Sequence, residues 1–271
     1  MLKRTITGVV LIAVLIVVLL FLPEIFTAIL VAAMAMIAAD ELLRATGLVT
    51  NRRLLVYAAA ISMCVVAVSY FGVEYVRILA VLLVFTVLCF FEMFISQGKL
   101  PFSQVAVTMV AGLLIPFLLS ALVRIVLMGN GRYLVVLPFV MAFLPDTGAY
   151  LIGCAFGKHK LCPTISPKKT VEGLFGGFLG GIVGVMAYCA VLQMIFGFTV
   201  NYLYAAIYGV VGTCAATFGD LMFSVIKRQT GIKDYGKLLP GHGGILDRFD
   251  SVALVAPVAE LLLLILPLAV K

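Results

Sequence analysis

Long uninterrupted apolar runs decide the fold class of this chain before anything else. Residues 5–22, 25–43, 54–72, 75–95, 104–127, 132–153, 172–196, 202–226 and 251–270 each come close to the roughly 20 residues a helix needs to cross a bilayer. Lipid offers no water to a backbone N–H or C=O. A crossing segment must therefore satisfy its own polar groups as a helix, or close into a barrel. These runs are continuously apolar and lack the alternation of barrel strands. The expectation is an all-α, polytopic integral membrane protein with about nine transmembrane helices. Composition agrees: 64% of the 271 residues are hydrophobic, against about 45–50% in a soluble domain. The six cysteines are scattered, with no C-x-x-C pair. That fits small buried hydrophobes and argues against a disulfide framework or a zinc site. The first run follows MLKR, exceeds a signal peptide's apolar core and lacks a small-x-small cleavage site, so it is expected to persist as the first helix.

Basic residues set the expected orientation. With the N-terminus in the cytoplasm, only Arg77, Arg124, Arg132 and Lys271 of the 19 lysines and arginines fall outside. That bias accounts for the net charge of +7 without any nucleic acid partner. It also puts the C-terminus outside and the long polar loops, between the sixth and seventh and between the eighth and ninth runs, in the cytoplasm. The expected location is a multi-pass inner (cell) membrane protein.

Acids inside a bilayer are costly and mark function by default. Asp146 in "LPDTGAYLIG" and Asp220 in "TFGDLMFSVIKR" lie in the inner halves of their runs, beside small residues that allow close approach. Asp40, Glu41 and Glu92 read equally well as helix ends at the interface, and Glu260 as a neutral acid bonded to a neighbouring helix. No role is assigned to Glu41, Glu92 or Glu260.

Two loops carry the remaining chemistry. In "TISPKKTVEG", Lys168 and Lys169 precede a helix start, where unpaired N–H groups and the positive end of the dipole favour an anion. A loop that only touches lipid headgroups is the plainer alternative. In "KDYGKLLPGHGGILDRFD", residues 233–250, a chain with only 11% charged residues gathers Lys233, Asp234, Lys237, His242, Asp247, Arg248 and Asp250. Asp247 and Asp250 share a helix face at i, i+3. Carboxylates suit a hard cation such as Mg²⁺, which keeps coordination positions for water and substrate phosphates. Lysine and arginine suit phosphate oxygens. Gly243 and Gly244 let the backbone approach a ligand. His242 reads either as a general base or as a group that orients phosphate. The residues point to metal-dependent phosphoryl chemistry at a membrane face, with no Walker or G-x-G-x-x-G motif to narrow it.

The run "SVIKRQTGIKDYGKLLPGHGGILDRFD", residues 224–250, resembles the long signature of CDP-diglyceride synthetases (phosphatidate cytidylyltransferases). The shared frame is S-x-x-K-R-x-x-x-x-K-D, a glycine and apolar spacer, then H-G-G-x-x-D-R-x-D, and every fixed position is filled. "DTGAY" at 146–150, "SPKKTVEG" at 166–173 and "GD" at 219–220 are similar to that family's segments. The resemblance covers roughly the last half of the chain, far more than a short motif. It implies transfer of a cytidylyl group from CTP to phosphatidate, Mg²⁺ dependence with K⁺ near the metal, a membrane-embedded polar cavity and a homodimer. It implies catalytic roles for Asp220, Asp247, Lys227, Arg248 and His242. Metal ligation would fall to Asp220, Asp247, Asp146 and Asp250. Ser166, Lys168, Lys169, Thr170, Ser224, Arg228, Lys233, Asp234, Gly243 and Gly244 would hold substrate. Residues 1–130 would then be a helical scaffold with lipid access, and 131–271 the catalytic region. Two rivals stand beside this reading. Intramembrane acids near glycines also suit a cation-coupled transporter, and a polyprenol or dolichol kinase would use the same loops.

Overall fold

The computed structural model describes residues 2–239, 241 and 243–270, with residues 2–7 in backbone only. His242 and Lys271, both named above, lie outside the described residues. The chain forms two compact units, one running through Leu127 and taking in Gln229–Phe249, the other Met128–Arg228 and the segment from Asp250.

The first unit is built from α1 (Leu2–Ile16), α2 (Glu24–Ala45), α3 (Arg52–Phe71), α4 (Tyr75–Ile95), α5 (Phe102–Met109), α6 (Ile115–Leu119) and α7 (Ala121–Val126). Helix α1 runs into a π-turn at Val17–Phe21, and α5 reaches α6 through another at Val110–Leu114. Helix α2 is the core: Val31, Ala35, Ala38, Ala39, Leu42 and Leu43 are all buried. Helix α2 packs against α3, α6 and α7, where Leu54, Ala58, Leu119, Leu122 and Ile125 are buried as well. Asn51 starts α3 by accepting from Arg53 N at 2.9 Å, which satisfies one of the four unpaired donors of a helix start. Much of the unit's outer surface is apolar, including Phe71, Val76 and Phe94, as lipid-facing helices require.

The second unit holds α8 (Gly131–Leu134), α9 (Leu137–Phe156), α10 (Val171–Phe196), α11 (Tyr202–Gln229) and most of α12 (Leu246–Ile265), whose first turn belongs to the first unit. Short strands β1 (Lys160–Cys162) and β2 (Ser166–Thr170) pair antiparallel between α9 and α10, with Lys160 opposite Thr170. Another pair, β3 (Thr199–Val200) and β4 (Ala269–Val270), ties the start of α11 to the end of α12. Helices α9 and α10 approach backbone to backbone: a methyl group placed on Gly148 would lie 2.4 Å from the Gly176 carbonyl oxygen. Tyr208 in α11 donates to the Leu266 carbonyl at 2.9 Å.

Among the described residues, seven helical segments are long and apolar enough to cross a membrane, from Glu24–Ala45 to Tyr202–Gln229. The protein is an all-α polytopic membrane protein. The first expected run appears as a shorter apolar helix, Gly8–Phe21. The last becomes α12, which starts earlier than the expected 251 and carries Asp247, Arg248, Asp250 and Glu260. Of the acids that read as interface markers, Asp40 pairs with Arg44 one turn on, at 2.6 Å. Glu92 is buried, with Oε1 accepting from Asn51 Nδ2 at 3.1 Å and Arg53 Nη1 at 3.3 Å.

Candidate active site

Asp146, Asp220, Lys160, Lys168 and Lys169 of the second unit line a cavity of about 570 Å³. Its wall is drawn from α9, β1, β2, α10 and α11. Helix α9 brings Asp146, the residue after Pro145, whose ring removes a helical N–H. Strand β2 brings Lys168 and Lys169 and ends at Thr170, and α11 brings Thr217 and Asp220. Lys169 Nζ stands 2.5 Å from Asp220 Oδ2, each side chain about a quarter exposed at 26% and 25%. Asp146 lies within electrostatic reach of both. The Lys169 charge thus offsets the repulsion between the two acids.

The start of α10 faces the same cavity. Thr170 Oγ1 accepts from Gly173 N at 3.1 Å and caps the helix. Thr170 therefore has a structural role as a helix cap beside the substrate-binding role that the resemblance implies for it. Glu172 fastens the hairpin to the helix: its Oε2 accepts from Lys158 N at 3.0 Å, and its Oε1 lies 2.6 Å from His159 Nδ1. Pro167 lies in β2, and pairing with β1 carries Lys160 to the cavity wall.

A buried pair sits further along α11 and α12. Lys227 and Asp250 are 8% and 7% exposed, with Nζ 3.9 Å from Oδ2. Asp250 Oδ1 accepts from Ser251 N at 2.7 Å, and the Asp250 carboxylate feels Asp220 and Asp146 electrostatically. Ser224, one turn before Lys227, is buried, and Arg228 Nε donates to the Ile165 carbonyl at 3.1 Å. Ser166 begins β2 and is half-buried.

Lys233, Asp234, Gly243, Gly244, Asp247 and Arg248 belong to the first unit. There Asp247 Oδ2 accepts from Tyr235 N at 2.8 Å, Gly236 N at 3.4 Å and Gly244 N at 3.0 Å. Leu239 N donates to the Gly243 carbonyl at 2.9 Å and closes the loop on itself. Gly243 adopts φ +84°, a left-handed conformation that favours glycine. Lys233 and Asp234 are exposed.

Sequence reasoning missed several residues of the cavity wall, namely Lys160, Tyr150, Cys154 and Thr217. Lys160 carried a signal, its place in the basic "KHK" of the loop. The other three carried none, because nothing in an apolar run says which residue faces a cavity. Among the described residues, no three His, Cys, Asp or Glu side chains stand together as a ready-made metal cluster. What the cavity offers is carboxylates and ammonium groups side by side in a membrane-spanning unit, a combination suited to a phosphate anion and its counter-cation.

Relatives carry the same chemistry in their names. The chain is 44% identical over 135 residues to a phosphatidate cytidylyltransferase of Staphylococcus epidermidis. It is 41% identical over 135 residues to proteins of that name from Staphylococcus haemolyticus and Staphylococcus aureus. Each match spans 50% of this chain and about half the length, 50%, of the relative. Residues 2–266, nearly the whole sequence, match the profile of the Cytidylyltransferase family, and the chain belongs to that family.

Proposed function

We propose that this protein transfers a cytidylyl group from CTP to phosphatidate, giving CDP-diacylglycerol and pyrophosphate. The observation that carries the reading is the cavity where Asp146, Asp220, Lys168 and Lys169 converge. An oxygen of the lipid phosphate attacks the α-phosphorus of CTP, a new P–O bond forms, and the bond to the β-phosphate bridging oxygen breaks. No protein nucleophile is required. Catalysis rests on positioning and charge neutralisation.

Lys168 and Lys169 hold phosphate oxygens at the rim, with Lys160 beside them. The N–H groups at the start of α10 add the positive end of its dipole. Ser166, Thr170 and Ser224 bind substrate, as do Arg228, Lys233, Asp234 and the backbone at Gly243 and Gly244. Lys227 and Arg248 neutralise charge on the transferring phosphate. His242 is proposed as catalytic on the resemblance of its motif alone.

Asp146 and Asp220 suit Mg²⁺, which needs only one or two carboxylates when phosphates and water complete its shell. Asp250 and Asp247 are further carboxylates for the same purpose. Mg²⁺ bound there would polarise the phosphoryl oxygens and offset charge on the departing pyrophosphate. K⁺ beside it is proposed from the family resemblance, as is a homodimer. Residues 131–271 carry the chemistry and residues 1–130 give the scaffold and lipid access. The N-terminus and the basic loops face the cytoplasm and the C-terminus the outside of the cell membrane, on the distribution of basic residues.

The test is pyrophosphate release by purified protein in detergent, with CTP, phosphatidate and Mg²⁺ each omitted in turn. Release that needs all three is the expected result. Release of CDP in place of pyrophosphate would turn the reading to a lipid kinase. Silence with every lipid phosphate, from folded protein, would bring the transporter forward.

Cys154 gives a second check, because this cysteine is exposed and lines the cavity. A charged maleimide should label Cys154 in detergent, with Cys154→Ser as the control for other thiols. CTP with Mg²⁺ at about ten times its Kd leaves about a tenth of the sites open, so labelling should slow about tenfold. Unchanged labelling under saturating nucleotide would remove this wall from the nucleotide site.

A further inference from the structure

Glu41 is a buried carboxylate in the first unit that the proposed chemistry leaves unused. It sits near the end of α2, 8% exposed, yet its partners come from the other end of the sequence. Oε1 accepts from Ile245 N at 3.1 Å and Oε2 from Leu246 N at 2.9 Å. Those two N–H groups belong to the start of α12, so Glu41 supplies from another helix the cap that a helix start needs. A negative charge there also faces the positive end of the α12 dipole.

The grip extends to the loop before α12. A methyl group on Gly236 would lie 2.2 Å from Glu41 Oε1, and one on Gly244 2.4 Å from both carboxylate oxygens. Side chains at either position would expel the carboxylate. Asp247 holds the same neck through Tyr235 N, Gly236 N and Gly244 N. The neck of the loop, Tyr235–Gly236 on one strand and Gly244–Leu246 on the other, is therefore tied by two carboxylates, Glu41 and Asp247. Replacing Glu41 would leave two buried backbone donors without acceptors, a costly state.

We infer that Glu41 is a positioning residue: it fixes the neck of the 235–246 loop and the first turn of α12, and through them the orientation of Asp247. The inference rests on the reading of Asp247 as a carboxylate of the cytidylyl-transfer site. Glu41 touches no reacting group. Its influence runs through backbone N–H groups, so its loss acts on the loop and on the metal requirement together.

The experiment compares the full-length protein with Glu41→Gln in detergent, after size exclusion and thermal melting show that both are folded. The first readout is independent of catalysis. Trypsin cuts after Lys237, an exposed residue followed by exposed Leu238, and the fragment ending there is followed by mass. Glu41→Gln should be cut about tenfold faster, because local opening of the loop becomes easier. The second readout is pyrophosphate release against Mg²⁺ concentration. Turnover should fall and the half-activating Mg²⁺ concentration should rise severalfold, with partial recovery of rate at high Mg²⁺. Equal cleavage rates, or faster cleavage with an unchanged Mg²⁺ requirement, would overturn the inference. If Glu41→Gln does not fold, Gly236→Ala pushes on the same carboxylate from the loop side and is read in the same way. If the wild-type protein releases no pyrophosphate, the functional reading fails by itself, and the cleavage arm still decides whether Glu41 holds the neck.

Discussion

Asp220→Asn should lower pyrophosphate release by about 10²–10³-fold while leaving the protein folded, the loss seen when one preorganised charge-stabilising group is removed from an active site. Two magnitudes separate folding from chemistry at Asp220. As a structural ion pair, Lys169–Asp220 is partly screened: both side chains line the cavity and are about a quarter exposed, at 26% and 25%, which brings its contribution towards the roughly 1 kcal/mol of an exposed pair. The amide keeps the shape and one acceptor oxygen, and Asp146 remains near Lys169. Folding should hardly respond. As a cation ligand, in contrast, a neutral amide is a poor replacement for a carboxylate, and the transition state of phosphoryl transfer gathers charge where Lys169 and a divalent ion are expected to meet it. A large loss of turnover with a small change in melting temperature assigns Asp220 to chemistry. Turnover within a few-fold of wild type would make the pair a structural contact and remove Asp220 from the site. Asp146→Asn in parallel reports how much of the cation's hold is shared between α9 and α11.

The parts of the molecule legible in the sequence are those set by neighbours in the chain. Hydropathy is a local property, so the runs from 25–43 to 202–226 reappear as membrane-crossing helices with small shifts at their ends. Asp146 and Asp220 stand out because an acid in an apolar run is expensive wherever it sits. What lay out of reach depended on pairings across the sequence. Nothing near Asp220 announces Lys169, 51 residues earlier, as its partner. Glu41 looked like a helix end because its partners, Ile245 and Leu246, lie 204 and 205 residues away. The early start of α12 has the same cause: its first N–H groups are satisfied by a side chain from α2, which no capping pattern next to Leu246 could reveal. The β1–β2 hairpin was hidden by its brevity and by its proline and lysines, which are poor strand formers.

The packing of α9 against α10 yields the other large effect. Gly148→Val should abolish accumulation of folded protein, and Gly148→Ala should leave a less stable protein whose turnover is about 10²-fold lower. Gly148 and Gly176 face each other reciprocally: a methyl group on Gly148 meets the Gly176 carbonyl oxygen at 2.4 Å, and one on Gly176 meets the Gly148 carbonyl oxygen at 2.6 Å. Both obstacles are backbone, so no rotamer change relieves them, and the helices must separate. Overpacking by a methylene or two costs about 1–3 kcal/mol even where side chains can yield. In lipid this cost weighs more, because close van der Waals contact between small residues is a principal force holding such helices together. The functional loss has a different origin. Asp146 lies two residues before Gly148 on α9, and Lys169 and Thr170 lead directly into α10. Parting the helices parts the two walls of the cavity, and about 1 Å of misplacement is enough to cost about 10² in rate. Gly129→Ala is the control, since a methyl group there meets nothing within 4 Å and should change stability by no more than about 0.5 kcal/mol. Detergent-resistant folding, melting temperature and turnover of the three variants separate the outcomes. Wild-type stability and rate in Gly148→Ala would mean that α9 and α10 do not meet at these glycines. Wild-type rate with lowered stability would mean that the cavity's chemistry does not depend on how closely they meet.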